Sequence, residues 1–149
     1  MRRDLTAPVE ILPLPDGVAL ASFAPTLAPA CRDLMNAVYA DGYGDVIPFD
    51  QWWRWVSNSD DYDPSLVLVA IADGAPVGFC HGWLDPFIKD IVVAQQWRRR
   101  GLAAAMLTTL LADYRRRGAA FVDLKTDVDN LTAQAVYRAL DFEIIERVG

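Results

Sequence analysis

Residues 66–93 carry three strand-like runs separated by two tight turns, and that spacing constrains the fold more than any other feature of the chain. Leu66 to Ile71 leads into Asp73-Gly74, a dipeptide suited to the positive φ angles of a two-residue hairpin turn. Ala75 to Trp83 follows, then a turn at Asp85-Pro86, then Phe87 to Val93. Connections this short join antiparallel neighbours, so a three-stranded meander is expected.

The flanking segments alternate helix and strand. Val18 to Phe23 reads as a strand, and Leu27, Cys31, Leu34, Met35 and Val38 form a helical stripe. Asp41-Gly-Tyr-Gly-Asp45 breaks that helix, and Asp50 is placed to cap a short second one through Gln51 to Val56. Downstream, Gly101 to Arg117 places Ala103, Met106, Leu107, Leu110, Leu111 and Tyr114 on one helical face. Phe121 to Thr126 reads as a strand, Asn130 to Leu140 as a helix and Phe142 to Val148 as a closing strand. Residues 1–17 read as an extension or an extra strand, with Val9 to Leu12 the candidate. The expected order is β-α-α-β-β-β-α-β-α-β, a mixed α/β sheet in a single domain over residues 1–149.

Composition narrows the function classes. With 53% hydrophobic and 23% charged residues, the chain can bury a core without disulfide staples. No apolar run approaches the ~20 residues of a membrane span, and Met1 to Pro15 lacks the apolar centre of a secretion signal, so no membrane partner and a cytoplasmic location are expected. Cys31, Cys80 and the single His81 offer no metal-ligand spacing; no metal is expected, and the cysteines read as small buried hydrophobes. The net charge of −6 argues against nucleic acid as a partner. That charge is uneven. Met1 to Asp90 holds 5 basic and 13 acidic residues, whereas Ile91 to Gly149 holds 9 and 7.

The basic half contains the run Val93-Ala-Gln-Gln-Trp-Arg98-Arg99-Arg100-Gly101-Leu102-Ala103, which joins a strand to a helix. A helix start offers unpaired N–H groups and a positive dipole end, and Gly101 keeps a Cβ out of the way. Three arginines there oppose the dipole unless an anion is bound, so a phosphate site weighs against a merely solvated turn. Neither a P-loop nor a dinucleotide fingerprint is present.

Arg98-x-x-Gly101-x-Ala103 resembles the acetyl-CoA pyrophosphate signature of the GNAT N-acetyltransferase superfamily. Asn130-x-x-Ala133-x-x-x-Tyr137-x-x-x-Asp141-Phe142 resembles that superfamily's last motif, with Asp141 where glycine is usual. The expected element order agrees from Val18 to Gly149.

The resemblance implies a fold, a cosubstrate and site residues. Acetyl-CoA would lie along the strand before the arginine run, its pantetheine bonded by backbone at Ile91 and Val93, with Val92 between them. The N–H groups from Arg98 through Arg99, Arg100, Gly101 and Leu102 to Ala103 would cradle the pyrophosphate. Asn130 would reach the cofactor arm or act as a plain helix cap. Tyr137 would protonate the departing thiolate or be a core aromatic. The base is open. Where many relatives carry a glutamate, this chain has Lys89; neighbouring Asp90 would face the other way in a regular strand. His81 and Asp90 rank ahead of Asp85 and Asp127 as bases, although a lone strand histidine is commonly structural.

No activated serine or cysteine motif is present, so direct attack by an amine in a ternary complex is expected. The acidic loops around Asp41, Asp45, Asp50, Asp60, Asp61 and Asp63, with their tryptophans, suit a cationic small-molecule or peptide amine, or form a solvated face. A homodimer is left open. The rival reading is a non-catalytic acyl-CoA-binding or regulatory module on the same fold.

Overall fold

The computed structural model describes residues 1–146. Six strands form one mixed sheet: β1 (Arg2–Asp4), β2 (Ala19–Ser22), β3 (Val67–Ala72), β4 (Ala75–Trp83), β5 (Phe87–Val93) and β6 (Phe121–Leu124), in the spatial order β1-β6-β5-β4-β3-β2. Four helices, α1 (Ala28–Tyr39), α2 (Phe49–Ser57), α3 (Leu102–Arg116) and α4 (Leu131–Ala139), cover its two faces.

The meander forms as its turns require. Asp73 and Gly74 sit at φ 51° and 76°, both left-handed, so β3 and β4 close with Ala72 opposite Ala75. β4 pairs antiparallel with β5, and α3 carries the chain across to β6, which is parallel to β5. The two faces bury separate clusters. On one, Leu102, Met106, Leu107, Leu110 and Leu111 of α3 meet Ala70, Cys80 and Ile88 of the sheet. On the other, Cys31 and Met35 of α1 and Trp52 and Val56 of α2 meet Val67, Val69, Phe79 and Val92. Burying each large aliphatic contributes roughly 1.5–3 kcal/mol, so the sheet is clamped from both sides.

Three expectations at the chain ends need correction. The N-terminal strand is Arg2–Asp4, antiparallel to β6, and Val9 to Leu12 is not a strand. Arg2 is fixed there by a bidentate pair with Asp123 (2.8 and 3.0 Å) and by its guanidinium 3.6 Å over the Phe121 ring. The last strand stops at Leu124, before Lys125 and Thr126. The closing strand shrinks to one bridge, Arg2 with Glu143, since it meets the three-residue β1 only at that strand's first residue. Residues 147 and 148 of that expected strand lie outside the described residues.

Candidate active site

The site begins where two strands part. Phe87 and Ile88 of β5 pair with Asp123 and Leu124 of β6, and no pairing continues beyond them. The gap opens into a cavity of about 990 Å³ whose walls are β5, the segment after β6, α4 and the α1–α2 loop. On its other side β5 remains bonded to β4, with the Ala94 N–H donating to Val77 O at 2.8 Å. Strand alternation then turns the N–H and C=O groups of Ile91 and Val93 toward the cavity. The Val93 carbonyl accepts a long bond from Arg98 Nε, 3.4 Å. An unpaired strand edge facing a cavity can receive another extended amide chain.

The arginine turn lies at the end of this edge. A 3-10 turn, Gln95–Trp97, leads into Arg98, Arg99 and Arg100, all exposed. Arg99 and Gly101 both have left-handed backbones, φ 62° and 82°. Gly101 is the N-cap of α3 and has no side chain to occupy the N–H groups of Ala103 and Ala104, and the Leu102 N–H is free as at any helix start. Nothing lies within 4 Å of where its Cβ would be, so the glycine serves backbone conformation and leaves the approach clear. Arg98 lines the cavity; Arg99, Arg100, Gly101, Leu102 and Ala103 do not, and the Arg100 guanidinium stacks 4.6 Å over the Trp97 ring.

At the opposite end the sheet is irregular. His81 pairs with Asp90 but Gly82 pairs with Ile88, which leaves Lys89 as the extra residue of a β-bulge. The bulge changes the facing of the strand: Ile88 joins the α3 cluster, whereas Val92 joins the α1–α2 cluster. The regular-strand expectation for Asp90 is thereby corrected. Its carboxylate reaches the cavity beside Lys89, with Oδ2 3.5 Å from Nζ, and Oδ1 accepts a 2.6 Å bond from the Tyr39 hydroxyl. Only 8% of Asp90 is exposed.

His81 is placed differently. It is 1% exposed, it is not among the residues lining the cavity, and neither ring nitrogen has a hydrogen-bond partner. Burial lowers its pKa to about 4, outweighing the pull of Asp90, so the ring is neutral near pH 7. Tyr137 lines the cavity and also packs on Phe142, with ring centroids 5.8 Å apart. Burial, with a smaller contribution from Cys80, pushes its pKa up to about 12, which keeps the phenol protonated. Asn130 caps α4, its side chain accepting the Ala133 N–H at 3.2 Å, and it also lines the cavity. Asp141, in glycine's place, has φ 66° and closes the helix with Phe142 N–H on Tyr137 O.

The acidic residues separate by role. Asp41, Asp45 and Asp127 line the cavity. Asp63 instead caps a 3-10 turn and pairs with Arg117 at 3.2 Å, and Asp61 holds the Asp85 N–H. Cys31 and Cys80 are buried free thiols away from the cavity, and burial raises the pKa of both. Sequence reasoning missed Tyr39 and Arg32. Arg32 is only 2% exposed, bonded to Asn36 Oδ1 (2.9 Å) and Asp45 O (2.6 Å). Tyr39 ends the α1 stripe just before the Asp41-Gly break, which was the available signal.

Among the described residues no helix is long and apolar enough to cross a membrane, and no three His, Cys, Asp or Glu gather as a metal site. The sequence profile of the acetyltransferase (GNAT) family matches residues 28–142. A GCN5-related N-acetyltransferase from Sphaerobacter thermophilus superposes with a TM-score of 0.81 at 26% identity, covering 94% of this chain. This chain spans 45% of that longer one. The ribosomal-protein-S18-alanine N-acetyltransferase of Escherichia coli gives 0.67 at 21% identity, over 83% of this chain and 76% of the other. The aminoglycoside N-acetyltransferase AAC(6')-Iy, solved in complex with CoA, gives 0.66 at 21%, over 88% and 91%. A comparison with curated proteins yields no sequence match. The parted strands, the arginine–glycine helix start and the profile agree, and the chain belongs to the acetyltransferase (GNAT) family.

Proposed function

We propose that the chain transfers an acetyl group from acetyl-CoA to a primary amine by direct attack in a ternary complex, with residues 1–149 as one transferase domain. The observation that carries this reading is the cavity itself. One opening holds the unpaired β5 edge, Arg98, the Asp90 carboxylate and the Tyr137 phenol. Cofactor contacts fall to Ile91, Val92, Val93, Arg98 and Asn130, with the N–H groups from Arg99 to Ala103 toward the phosphates.

The chemistry is a relay of protons around the attack. An amine of pKa 10.4 stands ~3.4 units from its free form at pH 7, about 4.6 kcal/mol. Asp90, buried but lining the cavity beside the acceptor end, takes the ammonium proton and releases the nitrogen lone pair. That pair forms the C–N bond, the C–S bond breaks toward sulfur, the neutral Tyr137 phenol supplies the thiolate's proton, and the second proton that the nitrogen sheds as the amide forms restores the phenol. The buried thiols Cys31 and Cys80 lie outside the cavity, in keeping with no acetyl-enzyme and with a cytoplasmic setting. Solved neighbours of this fold act on aminoglycosides and on an S18 alanine, which supports an amine acceptor; Asp41 and Asp45 at the cavity favour a cationic one.

One observation favours the non-catalytic alternative: Lys89 stands 3.5 Å from the carboxylate assigned as base. A panel of aminoglycosides, polyamines, amino acids and lysine peptides, assayed for free CoA release, separates the two. Amine-dependent thiol release with a mass gain of one acetyl on the amine supports the transferase. Tight acetyl-CoA binding with no release for any amine overturns it.

A further inference from the structure

The geometry points to Tyr39 as a positioning residue that ties the α1–α2 loop to the Asp90 carboxylate, holding Oδ1 so that Oδ2 alone receives a proton from the acceptor. This deepens the reading of Asp90 as base and rests on it. Tyr39 stands at the C-terminal end of α1 and donates its hydroxyl to Asp90 Oδ1 at 2.6 Å, across the cavity wall from its own helix. Both residues line the cavity. With Oδ1 held by Tyr39, Oδ2 is fixed in one direction, facing the Lys89 ammonium at 3.5 Å, and the acceptor ammonium reaches it by taking the place Lys89 holds. The proton passes from the ammonium nitrogen to Oδ2, the nitrogen keeps its electron pair, and Tyr39 keeps its own proton throughout. Burial and the neighbouring Asp90 charge push the Tyr39 phenol above its ordinary range, so it is protonated and able to donate at neutral pH.

The loop sets the ring. Asn36 on α1 holds Ile47 by both backbone groups, at 3.0 and 2.9 Å, and Arg32 holds the Asp45 carbonyl. Just before those anchors Gly44 packs against the Tyr39 ring, which leaves no room for a Cβ there. The Arg32 guanidinium stands 5.9 Å over the same ring. Anything that unseats residues 41–47 therefore moves the hydroxyl off Asp90, so the base is correctly oriented only when the acceptor-side loop is in place. The charged and titratable groups facing Asp90 are Tyr39 and Arg32 from α1, His81 and Cys80 from β4, and Lys89 from its own strand, with Tyr137 beyond Tyr39.

The test reads the carboxyl resonance of Asp90 by NMR at pH 7 in protein labelled with 13C-aspartate, assigned as the one missing from Asp90→Asn. In Tyr39→Phe that resonance is expected to move, because the hydrogen bond to Oδ1 is lost. Gly44→Ala, which retains the hydroxyl but displaces the ring, is expected to move it in the same direction. For any amine that is turned over, kcat is expected to fall about tenfold or more in Tyr39→Phe while KM for acetyl-CoA holds. An unmoved Asp90 resonance in Tyr39→Phe, with turnover unchanged and only thermal stability lowered, overturns the positioning role. Wild-type turnover in Asp90→Asn overturns the base assignment instead, and the two failures are distinct.

Discussion

His81 is a buried base with nothing to bond to, and its titration should be visible in the stability of the whole domain. Its ring lies 4.3 Å from Trp83 and 6.1 Å from Phe79, and neither nitrogen has a partner. The folded-state pKa of about 4 is depressed below the ordinary 6.5, so the unfolded chain binds the proton more tightly. The stability associated with the neutral ring is present above pH 6.5 and is lost as pH falls toward 4. The full difference of ~2.5 units corresponds to ~3.4 kcal/mol, of which about 2 kcal/mol disappears between pH 7 and pH 5. At roughly 2–4 °C per kcal/mol for a domain of this size, Tm should drop by about 4–8 °C over that interval. His81→Phe keeps a ring of similar shape without the titration. Asp4 and Asp63, held low by Thr6 and Ser65, lose their contribution only at lower pH, and do so equally in both proteins. Urea unfolding at pH 7, 6 and 5 should therefore give a steeper pH slope for the wild type, with the variant equal or more stable at pH 7. Superimposed slopes would refute the buried neutral histidine.

The remaining expectations concern the cleft. Gly101→Val places a β-branched residue at φ 82° beside the phosphate approach, and calorimetry should show acetyl-CoA affinity weakened at least tenfold in a protein that still folds. Unchanged affinity would remove that helix start from the site. Tyr137→Phe should lower kcat by 10²–10⁴-fold with little change in cofactor affinity, and wild-type turnover would return Tyr137 to a packing role. Two-substrate initial rates should intersect, as direct transfer requires; parallel lines, or a labelled acetyl group on Cys31 or Cys80, would contradict it. Amine KM should rise as salt brings the Debye length toward ~3 Å, and a salt-independent KM would discount Asp41 and Asp45 in capture.

Much of this was legible in the sequence where local chemistry fixes the outcome. β4 and β5 run over the residues expected of them because Asp73-Gly74 and Asp85-Pro86 punctuate the chain on either side. The two motifs share a wall of the cavity only through Arg98, Asn130, Ala133 and Tyr137, while Arg99 to Ala103 lie off it. What was not legible depends on distant partners. The bulge at Lys89 arises from register against β4, so nothing in Phe87 to Val93 alone says that Asp90 turns inward. Phe142, Ile144 and Ile145 read as a strand, yet a strand needs a neighbour, and β1 supplies one bridge. Tyr39 and Asp90 are 51 positions apart, and only the packing of α1 on the sheet brings them together.

Hydrogen exchange of single backbone amides with and without CoA tests the central claim most directly, because it needs no knowledge of the acceptor. The account predicts slowed exchange at Ile91 and Val93, whose N–H groups face the cavity, and at Leu102 and Ala103 at the start of α3. Val92 and Ala94, turned to β4, should change little. Protection spread evenly over both sets, or confined to other elements, would contradict the claim that the cofactor lies along the open edge of β5.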